Sequence, residues 1–236
     1  MLKVAILPSL EDNYTYVLWQ GGRACVVDPG TAEPAAEFLQ SQSLGLEYIL
    51  NTHAHTDHTG GNQALQKRFG GIVAGAGTPL PGTNRLIKDG DELSFGQNTI
   101  RVLGTPGHTR DSVCFYLPGK PGKLFTGDTL FIGGCGRLFE GTPRDLWLSL
   151  KKLGSLPEDT QIYPGHEYTL NNYTFCLEHD PANVGLKKQA DQAREKLSQG
   201  KSLVPSTLGA EKATNLFLRT ATAEELAQLR KQKDAF

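Results

Sequence analysis

Three histidines and an aspartate fall within six consecutive positions of the chain, in the stretch THAHTDH, which follows an apolar segment. His53 and His55 are two residues apart, so in an extended chain their side chains point the same way. Asp57 and His58 are adjacent, so their side chains point in different directions. Two neighbouring ions can therefore share the four side chains more easily than one ion can bind all of them. Imidazole and carboxylate are suitable ligands for zinc, iron or manganese. The alternative for this stretch alone is a histidine-rich surface turn.

Three more potential ligands each follow an apolar, strand-like segment elsewhere in the chain. His108 lies in GTPGHT, Asp128 in LFTGDTLF and His166 in QIYPGHEY. A strand end is held by a rigid sheet, so these positions favour an assembled metal site over a surface turn. Among the six histidines, only His179 falls outside this pattern, and we interpret it as a helix-surface residue.

The motifs THAHTDHTGG, PGHT, FTGD and YPGHEY, in this order, resemble those of the metallo-β-lactamase superfamily of binuclear hydrolases. The resemblance implies an α/β fold, a four-layer αββα sandwich with the metals at one edge. It also implies two divalent metal ions per chain, with zinc expected and iron or manganese as alternatives. The implied ligands are His53, His55 and His108 for the first ion and Asp57, His58 and His166 for the second, with Asp128 bridging the two.

A pair of ions of this kind makes a nucleophile from water. A bound divalent ion lowers the pKa of water from about 15.7 to about 7, so hydroxide becomes abundant at neutral pH. Two divalent ions carry four positive charges, and Asp57, Asp128 and a bridging hydroxide neutralise three of them. The remaining positive charge stabilises the oxyanion that forms when hydroxide attacks a carbonyl or a phosphodiester. We expect Asp57 to be both a ligand and the catalytic acceptor that orients the hydroxide. Asp28, in VVDPG, either orients a ligand or is an ordinary turn aspartate before Pro29.

The overall composition argues against several other classes of protein. The chain has 236 residues, a net charge of −1 and a pI of about 6.6, without the basic footprint of a nucleic-acid-binding protein. Its apolar runs are too short to span a bilayer, and MLKVAILPSLEDNY is typical of a first strand rather than a signal peptide. Cys25, Cys114, Cys135 and Cys176 form no C-x-x-C pair, and we expect reduced thiols. These features predict a cytoplasmic monomer that binds neither nucleic acid nor membrane.

The elements that must position these residues change in character near residue 170. Residues 1–169 alternate short β-rich segments with helices, of which TPRDLWLSLKKLGSL, with Thr142 as its cap, is the clearest. Residues 170–236 are polar and helical, with PANVGLKKQADQAREKLSQG as an amphipathic helix and a capping box of Thr222 and Glu225 opening TAEELAQLRKQKDAF. Only NLFLR shows strand-like alternation there. We therefore predict a catalytic domain over 1–169 and a helical, substrate-binding C-terminal region over 170–236.

The motifs CGRLFEGT, NLFLR and RKQKD, together with the metal motifs, are similar to those of glyoxalase II, the hydroxyacylglutathione hydrolase family, over essentially the whole chain. The resemblance implies hydrolysis of S-(2-hydroxyacyl)glutathione, with S-D-lactoylglutathione giving D-lactate and glutathione in methylglyoxal detoxification. Such a thioester carries a net negative charge, which basic side chains can bind. Arg230 and Lys233 are two basic residues that lie one turn apart on the same face of the predicted helix. Without the resemblance, RKQK is an ordinary solvated tail. The implied substrate-binding residues are Arg137, Phe139, Tyr168, Arg230 and Lys233.

The chain departs from that family at a few positions. Phe139 stands where many members have tyrosine, and a missing hydroxyl contact costs about 0.5–1.5 kcal/mol. Leu216 replaces a common proline, and Asp111 replaces a small residue. Arg137 stands where lysine is frequent, and its guanidinium binds a carboxylate through two nitrogens, which is a more rigid contact than lysine makes. These changes bear on substrate affinity and range. The alternatives are an iron-dependent glutathione persulfide dioxygenase, with one iron held by two histidines and an aspartate, and another hydrolase of the metallo-β-lactamase fold.

Overall fold

A computed structural model describes residues 2–77 and 79–236, and the chain divides into two compact units that alternate along the sequence. Unit 1 comprises Met1–Gly104, Asp111–Leu117 and Gly165–Glu167. Unit 2 comprises Thr105–Arg110, Pro118–Pro164 and Tyr168–Phe236. Within the described residues, no helix has both the length and the apolar character needed to cross a membrane.

The described residues of unit 1 form mixed β-structure with three helices. Its first six strands form one sheet in chain order, in which the first three strands are antiparallel and the later pairs are parallel. Three further strands pair antiparallel in succession. The strands are β1 (Lys3–Ser9), β2 (Asn13–Gln20), β3 (Arg23–Val27), β4 (Gly45–Leu50), β5 (Ile72–Ala76), β6 (Arg85–Ile87), β7 (Glu92–Phe95), β8 (Asn98–Gly104) and β9 (Val113–Leu117), and the helices are α1 (Glu33–Ser41), α2 (Thr56–Thr59) and α3 (Asn62–Phe69).

The core of unit 1 lies where the six-stranded sheet meets α1 and α3. Val26 of β3 and Ile49 of β4 are fully buried there with Leu39 of α1 and Leu65 of α3. Burying one such side chain stabilises the fold by about 1.5–3 kcal/mol. Helix α3 begins at Asn62, after the Gly60-Gly61 pair that separates it from the short helix α2.

The carboxyl ends of β3 and β4 are adjacent, since the two strands are parallel and Val27 pairs with Leu50. The chain leaves β4 through Asn51 and Thr52 and then enters the histidine motif. Asp28 follows β3 directly and has a φ of 49°, a left-handed conformation that aspartate tolerates better than most residues. The rigid sheet thus places Asp28 beside the start of the motif.

Unit 2 combines a small amount of β-structure with six helices. Strand β13 pairs parallel with β10 and antiparallel with β14, and β11 and β12 form a separate hairpin. The predicted α/β fold class, with a helical C-terminal region, is confirmed. The elements are β10 (Lys123–Gly127), β11 (Leu130–Phe131), β12 (Gly134–Cys135), β13 (Gln161–Pro164), β14 (Ser206–Thr207), α4 (Pro143–Gly154), α5 (Thr169–His179), α6 (Val184–Ser198), α7 (Leu208–Thr214), α8 (Leu216–Arg219) and α9 (Ala223–Asp234).

The predicted capping residues of α4 and α9 are both present, and two other features of unit 2 differ from the prediction. Thr142 caps α4 and forms a complete capping box with Asp145. Thr222 accepts from the Glu225 amide as predicted, but the Glu225 carboxylate accepts from Ala221 N rather than from the cap residue. The strand-like interpretation of NLFLR is wrong: residues 216–219 form α8, because the Asn215 side chain accepts from the Phe217 amide and starts a helical turn.

Candidate active site

The histidine motif of unit 1 adopts a bent path that brings its side chains together in two pairs. His53 and His55 lie before α2, and the Nε2 atom of His53 is 3.1 Å from the Nδ1 atom of His55. Asp57 and His58 lie within α2, with Asp57 Oδ2 3.5 Å from His58 Nε2. Although they are adjacent in the sequence, Asp57 and His58 therefore converge at their side-chain ends. The rings of His53 and His58 are 4.2 Å apart, so the two pairs adjoin each other.

His166 joins the second pair from a distant part of the sequence. Its segment is held against the start of β2, because Tyr14 N donates to Gly165 O and Glu167 N donates to Asp12 O, at 2.8 and 2.9 Å. The Nε2 atom of His166 is 3.3 Å from that of His58 and 3.4 Å from Asp57 Oδ2. These three side chains form a group with the spacing needed to hold a metal ion.

The two buried histidines of this group are oriented by carboxylates on their outer nitrogens. His58 Nδ1 lies 3.1 Å from Asp28 Oδ2, and His166 Nδ1 lies 2.8 Å from Asp12 Oδ1. A proton on each Nδ1 leaves each Nε2 with a lone pair, and the two Nε2 atoms face each other. Two converging lone pairs beside a carboxylate repel one another unless a cation lies between them. The donor set therefore fits a divalent metal ion.

Sequence reasoning weighed two roles for Asp28 and missed Asp12 and Asn13. Asp28 is both a strand-end residue and a partner of His58, and it also accepts from Thr52 N and Thr52 Oγ1 at 2.8 and 2.7 Å. Asn13 Nδ2 donates to Asp57 Oδ2 at 2.9 Å. The only signal for Asp12 and Asn13 was a polar pair at the connection between β1 and β2, which is also typical of an ordinary turn.

Asp57 is held as a carboxylate by its neighbours. A protonated His166, which can donate from Nε2, lowers the pKa of Asp57 most, the charge of a protonated His58 and the amide of Asn13 lower it further, and partial burial opposes them. The net result is a pKa far below the ordinary aspartate value. A side chain of this kind is available as a metal ligand and as a hydrogen-bond acceptor throughout the physiological pH range.

Unit 2 contributes the remaining two predicted ligands, His108 and Asp128. His108 Nδ1 lies 2.9 Å from the carbonyl oxygen of Arg137, and His108 Nε2 lies 3.4 Å from Asp128 Oδ2. The outer nitrogen of His108 is thus oriented by a backbone acceptor, as the outer nitrogens of His58 and His166 are by carboxylates. Gly136 is required beside this pair, because a side-chain carbon there would collide with the Asp128 carbonyl oxygen.

A cavity of about 450 Å³ in unit 2 contains all five predicted substrate-binding residues together with His108 and Asp128. The volume lies within the range typical of small-molecule sites. The cavity also carries aromatic surface from Phe131 and Phe236 and amide groups from Asn171 and Asn172. The five predicted residues in its lining are Arg137, Phe139, Tyr168, Arg230 and Lys233.

Arg230 is a buried, well-anchored cation of the cavity. Its side chain is 5% exposed, and its NH1 group donates to Cys135 O at 2.8 Å. Asp234 Oδ1 accepts from both Nε and NH2, at 3.0 and 2.9 Å. The guanidinium also lies over the Phe217 ring, 5.3 Å from its centroid. These contacts fix the orientation of the charge before any ligand arrives.

Lys233 is buried in a more apolar setting than Arg230. Its Nζ atom donates to Asn171 O at 3.2 Å and also contacts the Asn171 side-chain oxygen. The rings of Phe175 and Phe236 lie 5.3 and 4.7 Å away. Burial, and then the neighbouring charge of Arg230, lower the pKa of Lys233 to about 8. Its charge therefore changes within an accessible pH range.

The other three predicted residues are more exposed. Phe139 is 64% exposed and its ring meets that of His108 edge-on at 5.2 Å. Tyr168 is 36% exposed and packs edge-on against Phe131. Arg137 Nε lies 3.6 Å from Asp234 Oδ1, so Asp234 faces two of the three cations of the cavity. His179, excluded as a ligand from the sequence, lies exposed on α5 as predicted.

Two family models cover the chain almost end to end. The metallo-beta-lactamase superfamily model matches residues 10–166, and the model of the hydroxyacylglutathione hydrolase C-terminus matches residues 167–236. A hydroxyacylglutathione hydrolase of Synechococcus sp. is 44% identical over 258 aligned positions that cover all of both chains. The chain belongs to the hydroxyacylglutathione hydrolase family. Hydroxyacylglutathione hydrolases of Rippkaea orientalis and Pelagibacter ubique are 42% and 40% identical, again over all of both chains.

Solved structures place this hydroxyacylglutathione hydrolase family member among proteins of the metallo-beta-lactamase fold. ETHE1 from Myxococcus xanthus has a TM-score of 0.75 at 28% identity, with 98% of this chain and 90% of that one covered. TTHA1623, solved in a di-iron-bound form, has a TM-score of 0.64 at 28% identity, with 90% and 98% covered. The predicted family and fold are therefore confirmed, and the family is one of enzymes.

Proposed function

We propose that the protein hydrolyses S-(2-hydroxyacyl)glutathione thioesters, with S-D-lactoylglutathione giving D-lactate and glutathione as a step in methylglyoxal detoxification. The observation that carries the proposal is the cavity of unit 2. Three basic side chains line the same cavity as the potential ligands His108 and Asp128. A cavity that joins an anion-binding wall to a metal-ligand pair suits an anionic ester better than a neutral one.

The basic wall accounts for recognition of glutathione. A glutathione thioester carries two carboxylates and one ammonium, and the cavity offers Arg137, Arg230 and Lys233 against Asp234. Arg230 is already oriented by Cys135 and Asp234, so little side-chain entropy is lost when it binds a carboxylate. Tyr168 is positioned on the same cavity to donate its hydroxyl to the peptide groups of the tripeptide.

The proposed metal ligands follow the sequence prediction. His53, His55 and His108 would hold one ion, Asp57, His58 and His166 the other, and Asp128 would be shared. Zinc is the proposed metal, and iron and manganese suit the same donors. When bound, the ions supply hydroxide near neutral pH and polarise the thioester carbonyl. The chemistry of the donors supports this assignment, since the outer nitrogens of His58, His108 and His166 are each held by an acceptor.

The protein's own groups complete the reaction. Asp57 stays ionised and would accept a hydrogen bond from the attacking hydroxide, which fixes the direction of the hydroxide lone pair. The leaving group is a thiolate with a parent pKa near 8.5, so it departs without a dedicated general acid. The oxyanion and both product anions are attracted by the same positive wall that bound the substrate.

Three structural and cellular features belong to the proposal as well. Residues 1–169 form the catalytic domain and residues 170–236 the substrate-binding region, a division that lies close to the boundary between the two family models. The protein acts as a monomer in the cytoplasm. The presence of all four cysteines as buried thiols supports a reducing compartment.

The test is hydrolysis of S-D-lactoylglutathione by protein whose metal content has been measured. We expect loss of the thioester absorbance with one free thiol per ester consumed, in protein that contains two ions per chain. The same preparation is given glutathione persulfide in an oxygen electrode, because an iron-dependent persulfide dioxygenase is the alternative function that the sequence motifs leave open. No thioester hydrolysis by the two-metal protein would exclude the proposed reaction, and oxygen uptake with one iron per chain would favour the dioxygenase.

A further inference from the structure

Glu211 of α7 is a fully buried carboxylate that the proposed reaction does not use. Its side chain is 0% exposed. Its Oε2 atom accepts from Gly133 N at 2.8 Å and from Asn215 Nδ2 at 3.2 Å, and its Oε1 atom accepts from Ser206 Oγ at 2.6 Å. Burial raises the pKa of Glu211, and these three neutral donors oppose the shift. Burial of a carboxylate costs free energy, which its hydrogen-bond donors must offset.

What Glu211 holds is the tip of the β11–β12 hairpin. Gly133 lies in the turn between the two strands, and its N–H has Glu211 as acceptor. The side chains that bind the carbonyl groups of the hairpin come mostly from the C-terminal part of unit 2, and Thr126, whose Oγ1 donates to Leu130 O at 2.6 Å, is the exception. The bonds from the C-terminal part are Asn215 to Phe131 O and Gly134 O at 3.2 and 3.0 Å, Asn172 to Ile132 O at 3.0 Å, Cys176 to Gly133 O at 3.2 Å, and Arg230 to Cys135 O at 2.8 Å.

The hairpin in turn forms one wall of the cavity. Phe131 and Cys135, at its two ends, line the cavity, and so do the following residues Gly136 and Arg137. Glu211 is not among the described residues that line it. Glu211 therefore acts on substrate indirectly, and its bond to Gly133 N is its direct link to a wall of the cavity. The other side-chain bonds named above reach carbonyl groups, whereas Glu211 accepts from the Gly133 amide and so restrains the turn of the hairpin from its N–H side.

The geometry points to Glu211 as a positioning residue for substrate recognition: its carboxylate, by accepting from Gly133 N, sets the β11–β12 hairpin so that Phe131 and Arg137 meet the glutathione part of the substrate. This inference rests on the proposed function. It assigns the C-terminal region a second task besides supplying Arg230 and Lys233. That task is to hold a segment from the middle of the chain in its binding conformation.

The first test compares two substitutions of nearly equal volume. Glu211→Gln keeps an acceptor for Gly133 N, and its NH2 group can donate to Ser206 Oγ, since a hydroxyl can turn to accept. Glu211→Met fills the same space but removes both acceptors. Glu224→Gln and Glu224→Met, at an exposed position of α9, are the matched controls. Each variant is assayed with S-D-lactoylglutathione and with S-lactoyl-N-acetylcysteamine, a thioester without the carboxylates of glutathione.

We expect Glu211→Met to raise KM for S-D-lactoylglutathione about tenfold with kcat little changed, because an orphaned amide displaces the hairpin. The acetylcysteamine ester, which does not need the basic wall, should be hydrolysed at the wild-type rate. Glu211→Gln should restore the wild-type KM, and both Glu224 variants should match wild type. A general loss of folded enzyme would lower kcat for both esters and leave their ratio unchanged, which would overturn the inference.

Hydrogen exchange gives a readout that does not depend on activity. Peptides that span the β11–β12 hairpin should lose protection in Glu211→Met and keep it in Glu211→Gln. Glu211→Asp, whose carboxylate is one methylene shorter, serves if the methionine variant does not fold, and it should also lose protection. Equal protection in all variants would refute the inference. If wild-type protein does not hydrolyse S-D-lactoylglutathione, the proposed function fails instead, and the exchange result still reports whether Glu211 holds the hairpin.

Discussion

The Nε2 atoms of His58 and His166 face each other at 3.3 Å, although 108 residues separate them in the sequence. Each ring has its other nitrogen against a carboxylate, Asp28 for His58 and Asp12 for His166. Asp12 lies between β1 and β2, and Asp28 follows β3. The orientation of each ring is therefore set by a different segment of the chain. This arrangement leads to the first prediction.

Replacement of Asp12 by Ala should weaken metal binding. The change removes the acceptor of His166 Nδ1, and loss of such an orienting partner typically lowers metal affinity about 10- to 100-fold. Titration of metal-free protein with zinc, followed by calorimetry, measures the effect. Glu11→Ala removes an exposed acid from the preceding position and should bind zinc like wild type. Equal zinc affinity in the two variants would show that Asp12 does not orient the ligand.

Replacement of both Arg230 and Lys233 by Ala should weaken substrate binding without loss of metal. Each hydrogen bond to a charged group is worth about 1.5–3 kcal/mol, so KM should rise at least tenfold. The metal content, measured by atomic emission, should stay at the wild-type level. Lys231→Ala is the matched control, because Lys231 lies between the two on α9 and is exposed. An unchanged KM in the double variant would refute the assignment of the glutathione site.

Binding of an unreactive glutathione derivative should weaken above about pH 8. The pKa of Lys233 is lowered to about 8, so the free protein loses this positive charge as pH rises through that value. Binding of S-methylglutathione should then fall by up to about tenfold per pH unit, because Lys233 must take up a proton from solvent before it can pair with the ligand carboxylate. Direct titration at several pH values avoids any change in the chemical step.

The control for this pH dependence is Lys233→Arg. Arginine stays protonated at every pH used, so the decline above pH 8 should disappear even if binding is weaker overall. Titration of the amino group of the ligand affects both proteins alike. A decline of the same steepness in both proteins would assign it to the ligand and not to Lys233.

Replacement of Phe139 by Tyr should tighten substrate binding. Phe139 is exposed at the cavity, edge-on to His108, so a hydroxyl added at its ring edge has space to meet the substrate. One new hydrogen bond of about 0.5–1.5 kcal/mol corresponds to a roughly two- to tenfold lower KM. Phe139→Leu, which keeps an apolar side chain without a hydroxyl, should not lower KM. A tyrosine variant with the KM of wild type would show that the position does not contact glutathione.

The potential metal ligands could be predicted because each follows a strand and carries a side chain of distinctive chemistry. His108, Asp128 and His166 share that pattern with the opening motif, and the pattern is local. The partners that orient them were not predictable in this way. Asp12 and His166 are separated by 154 residues, and nothing near Asp12 in the sequence indicates that a histidine segment will pair with the start of β2.

The elements of the fold were predictable where a cap or a long periodic segment marked them. Helix α4, with Thr142 at its start, is such a case. NLFLR was not, because three apolar residues in a run of five fit either period, and the deciding contact is the cap from Asn215. Glu211 escaped detection for a related reason. Its burial depends on Gly133, which lies 78 residues earlier in the chain.

The thiol of Cys135 lines the cavity in which a thiolate product is released, yet burial keeps the pKa of that thiol raised to about 11. At neutral pH only about one Cys135 side chain in ten thousand is ionised, and thiol–disulfide exchange proceeds through the ionised form. A glutathione disulfide that entered the cavity would therefore exchange only slowly with Cys135, so a mixed disulfide with the enzyme is disfavoured.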